Sequence, residues 1–253
     1  MERLRHVARA AGAPQRALVS ETADALLDVV DDHGGLVTAC RQMVHRQPTS
    51  AALVWLAANL LAVDEPHEVV WDLVRDIDHD PTGRELAHVL APRARVVTLG
   101  WGEVVTEALA RRGDVELCVL DGPVLASRIP DFEIEPTEAP LAGAAMALTH
   151  ADVVVCEALA AGPSAVLVPA GALGLFTAAR YANVPVWAVV PRGRALPEPL
   201  WKGLVRRLPT ASVHDDHEVI DGALVDRAIS PVGASSLVDA VHAGCCPSAP
   251  ELQ

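Results

Sequence analysis

From Arg95 onward, short apolar runs alternate with segments of helical periodicity. The runs "RVVTLG", "VELCVLDG", "ADVVVCEA" and "VPVWAVVP" are rich in valine and bounded by Gly, Pro or Asp, which is typical of buried strands. The segments "EVVTEALARRG" and "PLAGAAMALTH" between them predict helices. This alternation predicts an α/β fold, a Rossmann-like parallel sheet with helices on both faces. The central strands should contain Val96, Val97, Leu117, Val119, Val153, Val155, Val186 and Ala188.

Residues 1–92 carry helical patterns throughout. One helix is predicted from Ser20 to the pair Gly34-Gly35, because glycine commonly ends a helix. A second, "SAALVWLAANLLAVDEP", should end before Pro66, and it is apolar nearly all round, so we expect it to be buried. A third, "HEVVWDLVRDIDHDP", shows the i, i+3, i+4 spacing of an amphipathic helix.

The chain after the last predicted strand has mixed polarity. "PLWKGLVRRL" predicts a helix, "HEVIDGALVDRAISPVG" a loop and a short helix, and "CCPSAPELQ" a disordered end. We therefore predict an N-terminal helical domain over residues 1–92, a Rossmann-like domain over 93–243 and a flexible tail over 244–253.

Composition narrows the classes of partner. The 253 residues carry a formal net charge of −13, and Lys202 is the only lysine among 20 basic residues. Such an acidic surface disfavours nucleic acid, whose phosphates need a clustered basic face. No apolar run reaches membrane-spanning length without a charge or a proline, and the N-terminus lacks an apolar signal core.

The cysteines favour a reducing, cytoplasmic location. Their number is odd, and they lack the paired spacing of a zinc site or a disulfide framework. Cys118 and Cys156 fall in apolar strands, where a buried thiol without a reactive role is expected. The five positions are Cys40, Cys118, Cys156, Cys245 and Cys246.

One long segment points to a known family. Residues 152–189, "DVVVCEALAAGPSAVLVPAGALGLFTAARYANVPVWAV", resemble the segment "D-x-V-L-V-G-A-D-A-V-L-A-N-G-x-V-x-N-K-x-G-T-x-x-x-A-L-A-A-K-x-x-x-V-P-F-Y-V". That segment marks the α, β and δ subunits of translation initiation factor two-B and their relatives, the methylthioribose-1-phosphate and ribose-1,5-bisphosphate isomerases. "VTLGWGEVVTEALARRG", "VELCVLDGP" and "IDGALVDRAISPVG" are similar to further motifs of the same family.

The resemblance implies a helical region before a Rossmann-like domain, and dimerisation through the latter. It also implies that the family's chemistry is lost, because each functional position carries a residue without that function. The replacements are Gly100 for the catalytic Cys, Ala158 for the partner Asp, Pro123 for the phosphate-binding Arg, and Val168-Pro169 for an Asn-Lys pair. An aldose-ketose isomerisation needs proton donors and acceptors, which glycine and alanine lack.

Three residues at the ends of predicted strands remain catalytic candidates. Cys156 and Glu157 end a strand at the sheet edge where open α/β sheets bind ligands. They are either a displaced thiol and carboxylate pair or an interior cysteine beside a loop-facing glutamate. Asp121 is either a ligand contact or the first residue of an Asp-Gly turn.

The glycine-rich turn Gly100-Trp101-Gly102 is a candidate ligand-binding loop. Backbone N–H groups at the start of the following helix would suit a phosphate. However, Glu103 lies in the first turn of that helix, where we expect it to satisfy the helix N-terminus and to repel a phosphate. Trp101 either stacks on a ligand or fills an empty site.

Two further ligand-binding candidates lie elsewhere. Arg128 either replaces the missing phosphate arginine or is a solvated loop charge, and Gly171 is the turn glycine that matches the family. The spacing "HDDH" of His214 and His217 fits a surface loop better than a metal site, so we predict no metal and no cofactor.

Two functions follow from these residues. The first is a non-catalytic ligand-binding, regulatory or scaffold protein with a degenerate sugar-phosphate site. Such a protein would form a homodimer and is a candidate to bind a small phosphorylated metabolite. The second is a sugar-phosphate isomerase with a rearranged active site built from Asp121, Cys156 or Glu157.

Overall fold

The computed structural model describes residues 14–121, 135–210, 212 and 215–253. The positions Pro123, Arg128 and His214, which the sequence analysis singled out, lie outside the described residues. Within this part of the chain, helices alone precede the first strand: α1 Gln15–Leu26, α2 His33–Arg46, α3 Ala51–Leu61, α4 Pro66–Asp78 and α5 Thr82–Val89. Among the described residues, no helix combines the length and the apolar character needed to cross a membrane.

The first two helices differ from the prediction. Helix α1 ends at Leu26, and the pair Gly34-Gly35 lies in the first turn of α2 instead of ending a helix. Glycine fits there because the Asp32 carboxylate folds over this turn: a Cβ atom on Gly35 would lie 2.6 Å from Asp32 Oδ2. The glycines thus make room for a helix start, which sequence spacing alone does not distinguish from a helix end.

The predicted α/β alternation after residue 94 is confirmed. The described strands are β1 Arg95–Leu99, β2 Glu116–Leu120, β3 Thr137–Ala139, β4 Val153–Glu157, β5 Ala160–Ala161, β6 Ala165–Pro169, β7 Val186–Val189, β8 His217–Asp221, β9 Arg227–Ser230 and β10 Gly233–Ser235. The helices among and after them are α6 Glu103–Arg112, α7 Ala144–Leu148, α8 Ala172–Tyr181, α9 Glu198–Arg207 and α10 Leu237–Ala243. The residues predicted for the central strands all lie in β1, β2, β4 and β7.

The main sheet has the order β10-β9-β7-β4-β1-β2-β3. All its neighbours are parallel except the last pair, β9 and β10. The chain runs outward from β1 to β3 and then returns to the other side of β1 with β4. The order therefore reverses between β1 and β4, which is where open α/β sheets form a ligand crevice at their carboxyl ends.

Helices cover both faces of this sheet, as the apolar runs predict. Val96, Val153 and Val155 pack against α5 and α6, whereas Val97 and Val154 pack against α8 and α10. Residues one apart on a strand point to opposite faces, so strands buried on both sides are apolar at every position.

A second, antiparallel sheet of order β5-β6-β8 joins the helical region to the main sheet. Val166 and Val168 face the core under α8, and Leu167 between them packs into the core of the N-terminal helices. The same helical core includes Leu200 and Trp201 of α9. The apolar helix α3 is buried along almost its whole length, as predicted.

The last sixty residues hold more structure than the pattern predicts. The segment interpreted as a loop and a short helix forms β8, β9 and β10, whose three to five residues are too few to show a period. The segment expected to be a flexible tail packs on the helical core, where Ala249 and Leu252 are each 2% exposed. Cys246 also packs against this core, and the carbonyls of Glu251 and Leu252 accept hydrogen bonds from Arg41 and Arg207. So few apolar residues take part that composition gave little sign of the packing.

Candidate functional site

The crevice between β1 and β4 contains a buried carboxylate of the chain itself. Glu157 ends β4 and is only 7% exposed. Its Oε2 accepts hydrogen bonds from the backbone N–H groups of Val104 at 2.7 Å and Val105 at 3.0 Å, in the first turn of α6. Such N–H groups carry the partial positive charge of a helix N-terminus, which favours an anion. Glu157 therefore occupies the position where α6 would bind a phosphate.

Glycine at position 102 makes this contact possible. A Cβ atom on Gly102 would lie 2.6 Å from Glu157 Oε2 and 2.7 Å from its Cβ. Any other residue would push the glutamate away from the helix. The glycine-rich turn, which the sequence analysis assigned to ligand binding, thus admits the glutamate side chain.

Arg194 balances the buried charge of Glu157. Its Nη1 donates to Glu157 Oε1 at 2.7 Å and to the carbonyl of Ala158 at 2.9 Å, and the arginine is itself 5% exposed. Its Nη2 lies 3.8 Å from Oε2 of Glu103. A charge-assisted pair with further hydrogen bonds is the arrangement that a buried carboxylate needs.

Glu103 has a different role from the one predicted. It makes no side-chain hydrogen bond to the start of α6, because Glu157 fills that position. Instead Glu103 lies between Arg194 and Arg16 of α1, whose Nε is 3.4 Å from Glu103 Oε1. Burial raises the pKa of Glu103, and the two guanidinium groups act in the opposite direction. The ion network therefore joins the sheet edge to the N-terminal helices.

At two further helical segments, a carboxylate of the chain itself accepts a hydrogen bond from the first turn. Glu218 of β8 accepts a hydrogen bond from the backbone N–H of Leu173, in the first turn of α8, at 2.6 Å. Asp121 accepts one from the N–H of Leu141 at 2.7 Å, where a short 3₁₀ turn leads into α7. Together with Glu157, these residues place a carboxylate at the start of three helical segments near the carboxyl edge.

The structure separates Cys156 from Glu157. Cys156 packs in the core beneath α8 and has no exposed surface, whereas Glu157 points to the α6 side of β4. Burial first, and then the negative charges of Glu157 and Glu218, raise the pKa of the Cys156 thiol to about 12. A neutral, enclosed thiol does not act as a nucleophile or a proton carrier at neutral pH.

The remaining candidates lie in the turns that follow β1, β2 and β6. Gly100 has a φ of 63°, donates its N–H to the carbonyl of Leu120 and has open space where a Cβ would lie. Trp101 is partly buried against the core beneath α5 and α6. Gly171 has a φ of 92°, and a Cβ there would lie 2.5 Å from Leu141 Cδ2. Asp121 has a φ of 49° and bonds the same Leu141.

The roles of Arg194 and Glu218 were not predicted from the sequence. Arg194 lies in the loop "PRGRALP", where an arginine reads as a solvated charge. Glu218 follows the histidine-rich stretch, and its strand was interpreted as a loop. His217 of that stretch contacts Asp216 at 2.7 Å. The group of potential metal ligands that the described structure brings together is instead Glu65, His67 and Glu68, all exposed.

No protein-family model matches the chain, and no curated protein matches it in sequence. Several solved structures match the chain in fold. The translation initiation factor eIF-2B of Pyrococcus horikoshii superposes with a TM-score of 0.68 at 16% identity, over 93% of this chain and 96% of that one.

The chain has the eIF2B fold.

Two further solved structures agree. A chain of the tetrameric eIF2B-beta2-delta2 complex from C. thermophilum superposes with a TM-score of 0.74 at 13% identity, over 95% of this chain and 91% of that one. The 5-methylthioribose 1-phosphate isomerase of P. horikoshii superposes with a TM-score of 0.62 at 14% identity, over 96% and 86%. The resemblance found in the sequence is thus confirmed at the level of the fold.

Two of the positions that the sequence aligned with functional residues of that family offer no surface to a ligand, whereas Gly100 is partly exposed. Ala158 and Val168 are fully buried. The N–H of Ala158 bonds the carbonyl of Val189, and Val168 lies in a paired strand.

Proposed function

We propose that this chain is a non-catalytic ligand-binding, regulatory or scaffold protein of the eIF2B-like family, with a degenerate sugar-phosphate site. One observation carries the proposal: Glu157, Glu218 and Asp121 occupy the helical N–H groups near the carboxyl edge of the sheets. A phosphate bound there would have to displace a carboxylate that the chain already holds in place.

Electrostatics support the same conclusion. A phosphate monoester carries nearly two negative charges at pH 7. Beside Glu157 it would meet a like charge at a place that is only 7% exposed, where such repulsion is strong. Arg194, the cation that would attract it, is already paired with Glu157 at 2.7 Å.

The rearranged isomerase is the alternative. It would need Asp121, Cys156 or Glu157 to move protons between sugar carbons. In the structure Cys156 is enclosed, Glu157 is paired, and one oxygen of Asp121 accepts the Leu141 N–H. These contacts favour a structural role for each of the three.

Turnover decides between the two functions. Methylthioribose-1-phosphate and ribose-1,5-bisphosphate, labelled with ¹³C, are incubated with the protein and followed by NMR of the sugar carbons. We expect no conversion above the rate without protein. Conversion that is abolished by Cys156→Ser or Asp121→Asn would establish the isomerase instead.

We also propose a cytoplasmic homodimer that associates through the outward side of α8. Two apolar side chains are exposed on this helix, Leu173 at 51% and Tyr181 at 92%. The eIF2B neighbour from C. thermophilum is a tetramer. Light scattering coupled to gel filtration should give a dimer for the wild type and a monomer for the double variant Leu173→Asp, Tyr181→Asp. A monomeric wild type at micromolar concentration would contradict the proposal.

A further inference from the structure

A second cavity, outside the sheet-edge site, is lined by arginine. Its volume is about 510 Å³, and it lies where the C-terminal ends of α2 and α9 meet the last residues of the chain. Arg41, His45, Arg206 and Arg207 line it. The protein has a net charge of −13, so three guanidinium groups around one cavity are a local excess of positive charge.

The positive charge of this cavity is only partly compensated. Glu251 is the only acidic side chain among the lining residues. Within the described part of the chain, no carboxylate lies within 4.0 Å of the guanidinium nitrogens of Arg41, Arg206 or Arg207. Glu251 and the two helix ends, which contribute about half a negative charge each, offset part of the three positive charges, and the main-chain end at Gln253 lines the same cavity.

Arg207 shows the strain of this arrangement most clearly. Its Nη1 donates to the carbonyl of Leu252 at 2.7 Å, but its buried Nε and Nη2 have no hydrogen-bond partner in the described structure. Burial lowers the pKa of Arg207, and the neighbouring Arg206 lowers it further. A buried donor without a partner is costly, and an anion in the cavity would relieve both the missing bonds and the repulsion.

Two arginines of this cavity already donate hydrogen bonds to backbone carbonyl oxygens of the chain. Arg41 Nε donates to the carbonyl of Glu251 at 2.7 Å, beside the bond from Arg207 to Leu252. Gly203 allows the close approach, because a Cβ there would lie 3.1 Å from the Leu252 carbonyl oxygen. The backbone carbonyls supply partial charge only, so the guanidinium groups keep capacity for a full anion.

We propose that this cavity is a binding site for a small molecule that carries a phosphate monoester. Three guanidinium groups suit a dianion with several acceptor oxygens, and guanidinium binds phosphate through paired N–H groups. The volume falls in the usual range for small-molecule pockets, and Val44, Pro250 and Leu252 provide an apolar wall for the rest of the ligand. The site shares no lining residue with the crevice at β1 and β4. The proposal therefore goes beyond the proposed function, and its test does not depend on that function.

Calorimetric titration in phosphate-free buffer tests the proposal, with ribose 5-phosphate as the probe. We expect saturable binding at one site per chain. Arg206→Gln should weaken it at least about tenfold, since one charged hydrogen bond is worth about that much. Arg206 is exposed, so the variant keeps its fold.

Two matched variants separate a specific site from general charge. Arg46→Gln, exposed on the same helix α2 but outside the cavity, should leave the affinity unchanged. Glu251→Gln should tighten binding about threefold, because it removes the carboxylate beside the phosphate. A gain of affinity is a result that damage to the fold does not produce.

Three results would overturn the proposal. These are no saturable binding of ribose 5-phosphate, an equal loss in Arg206→Gln and Arg46→Gln, and succinate binding as tightly as the phosphate ester. The last would assign the cavity to dicarboxylates. Inorganic phosphate that binds while ribose 5-phosphate does not would exclude the ester and leave a site for the free ion.

Discussion

At the scale of single residues, the carboxylate of Glu157 occupies the backbone N–H groups that a bound anion would use. Its two oxygens serve three hydrogen-bond donors, two from α6 and one from Arg194. All of this happens at 7% exposure, where hydration by water is nearly excluded. A buried, paired carboxylate of this kind is far more sensitive to loss of its charge than a surface glutamate.

The variant Glu157→Gln tests that sensitivity. It leaves the buried Arg194 with only the more distant carboxylate of Glu103 as a counter-charge, so the free energy of unfolding should fall by about 3 kcal/mol. Glu107→Gln is the control, because Glu107 is 39% exposed and pairs with Arg111 on the helix surface; it should cost about 0.5 kcal/mol or less. Urea denaturation measures both, and equal losses would contradict the structural role of Glu157.

Thiol labelling distinguishes the buried cysteines from the exposed one. Burial raises the pKa of Cys40 and of Cys156 to about 12, and both are enclosed, whereas Cys245 is exposed. Iodoacetamide at pH 8 should therefore modify Cys245 and leave Cys40 and Cys156 unmodified until the protein is denatured. Peptide mass spectrometry gives the result. Rapid modification of native Cys156 would restore it as a catalytic candidate.

At the scale of elements, α8 shows how far a pattern predicts burial. Ala172, Leu175, Phe176 and Ala179 are buried at the spacing i, i+3, i+4, i+7, as helical geometry requires. Leu173, which is as apolar as Leu175, lies outside this face and is 51% exposed. In a short helix that is apolar on most sides, the sequence predicts the helix but does not predict which of its faces is exposed.

The buried face of α8 predicts a sharp contrast between two substitutions. Leu175→Asp places an unpaired carboxylate in the core beneath the sheet, so it should cost more than about 4 kcal/mol or leave the protein insoluble. Thr177→Asp, on the exposed side of the same helix, should change stability by about 0.5 kcal/mol at most. Thermal melts followed by circular dichroism compare them. A Leu175→Asp protein with an unchanged melting midpoint would disprove the packing.

The sequence predicted elements where apolar runs are long and failed where they are short. β1, β2, β4 and β7 are valine-rich and buried on both faces, so their pattern was clear. β8, β9 and β10 alternate over too few residues to be recognised. The site followed the same rule: Glu157 was found at a strand end, whereas Arg194 and Glu218 acquire their roles only through contacts distant in sequence.

At the scale of the whole molecule, the helical region and the sheets share packed cores. Leu167 of β6 and Trp201 of α9 belong to the same apolar cluster as α3. Gln15 of α1 donates to the carbonyl of Leu159, across 144 residues of sequence. Contacts of this kind couple the stability of one part to that of the other.

We therefore expect one cooperative unfolding transition for the whole chain. Hydrogen exchange at increasing urea concentration should give the same midpoint for peptides from α3 and from β4. Leu167→Ala, which removes a buried side chain from the shared core, should lower both midpoints together. A separate, earlier midpoint for residues 14–91 would show that the helical region is an independent folding unit.

The carboxylates at the helix starts also bear on what the protein can sense. A group attached to the same chain is present at a local concentration of millimolar or more, and dilution never removes it. A metabolite that enters the crevice therefore has to compete with Glu157 at that local concentration. Metabolite levels well below it leave the crevice occupied by Glu157, so a response to such levels has to begin at another surface.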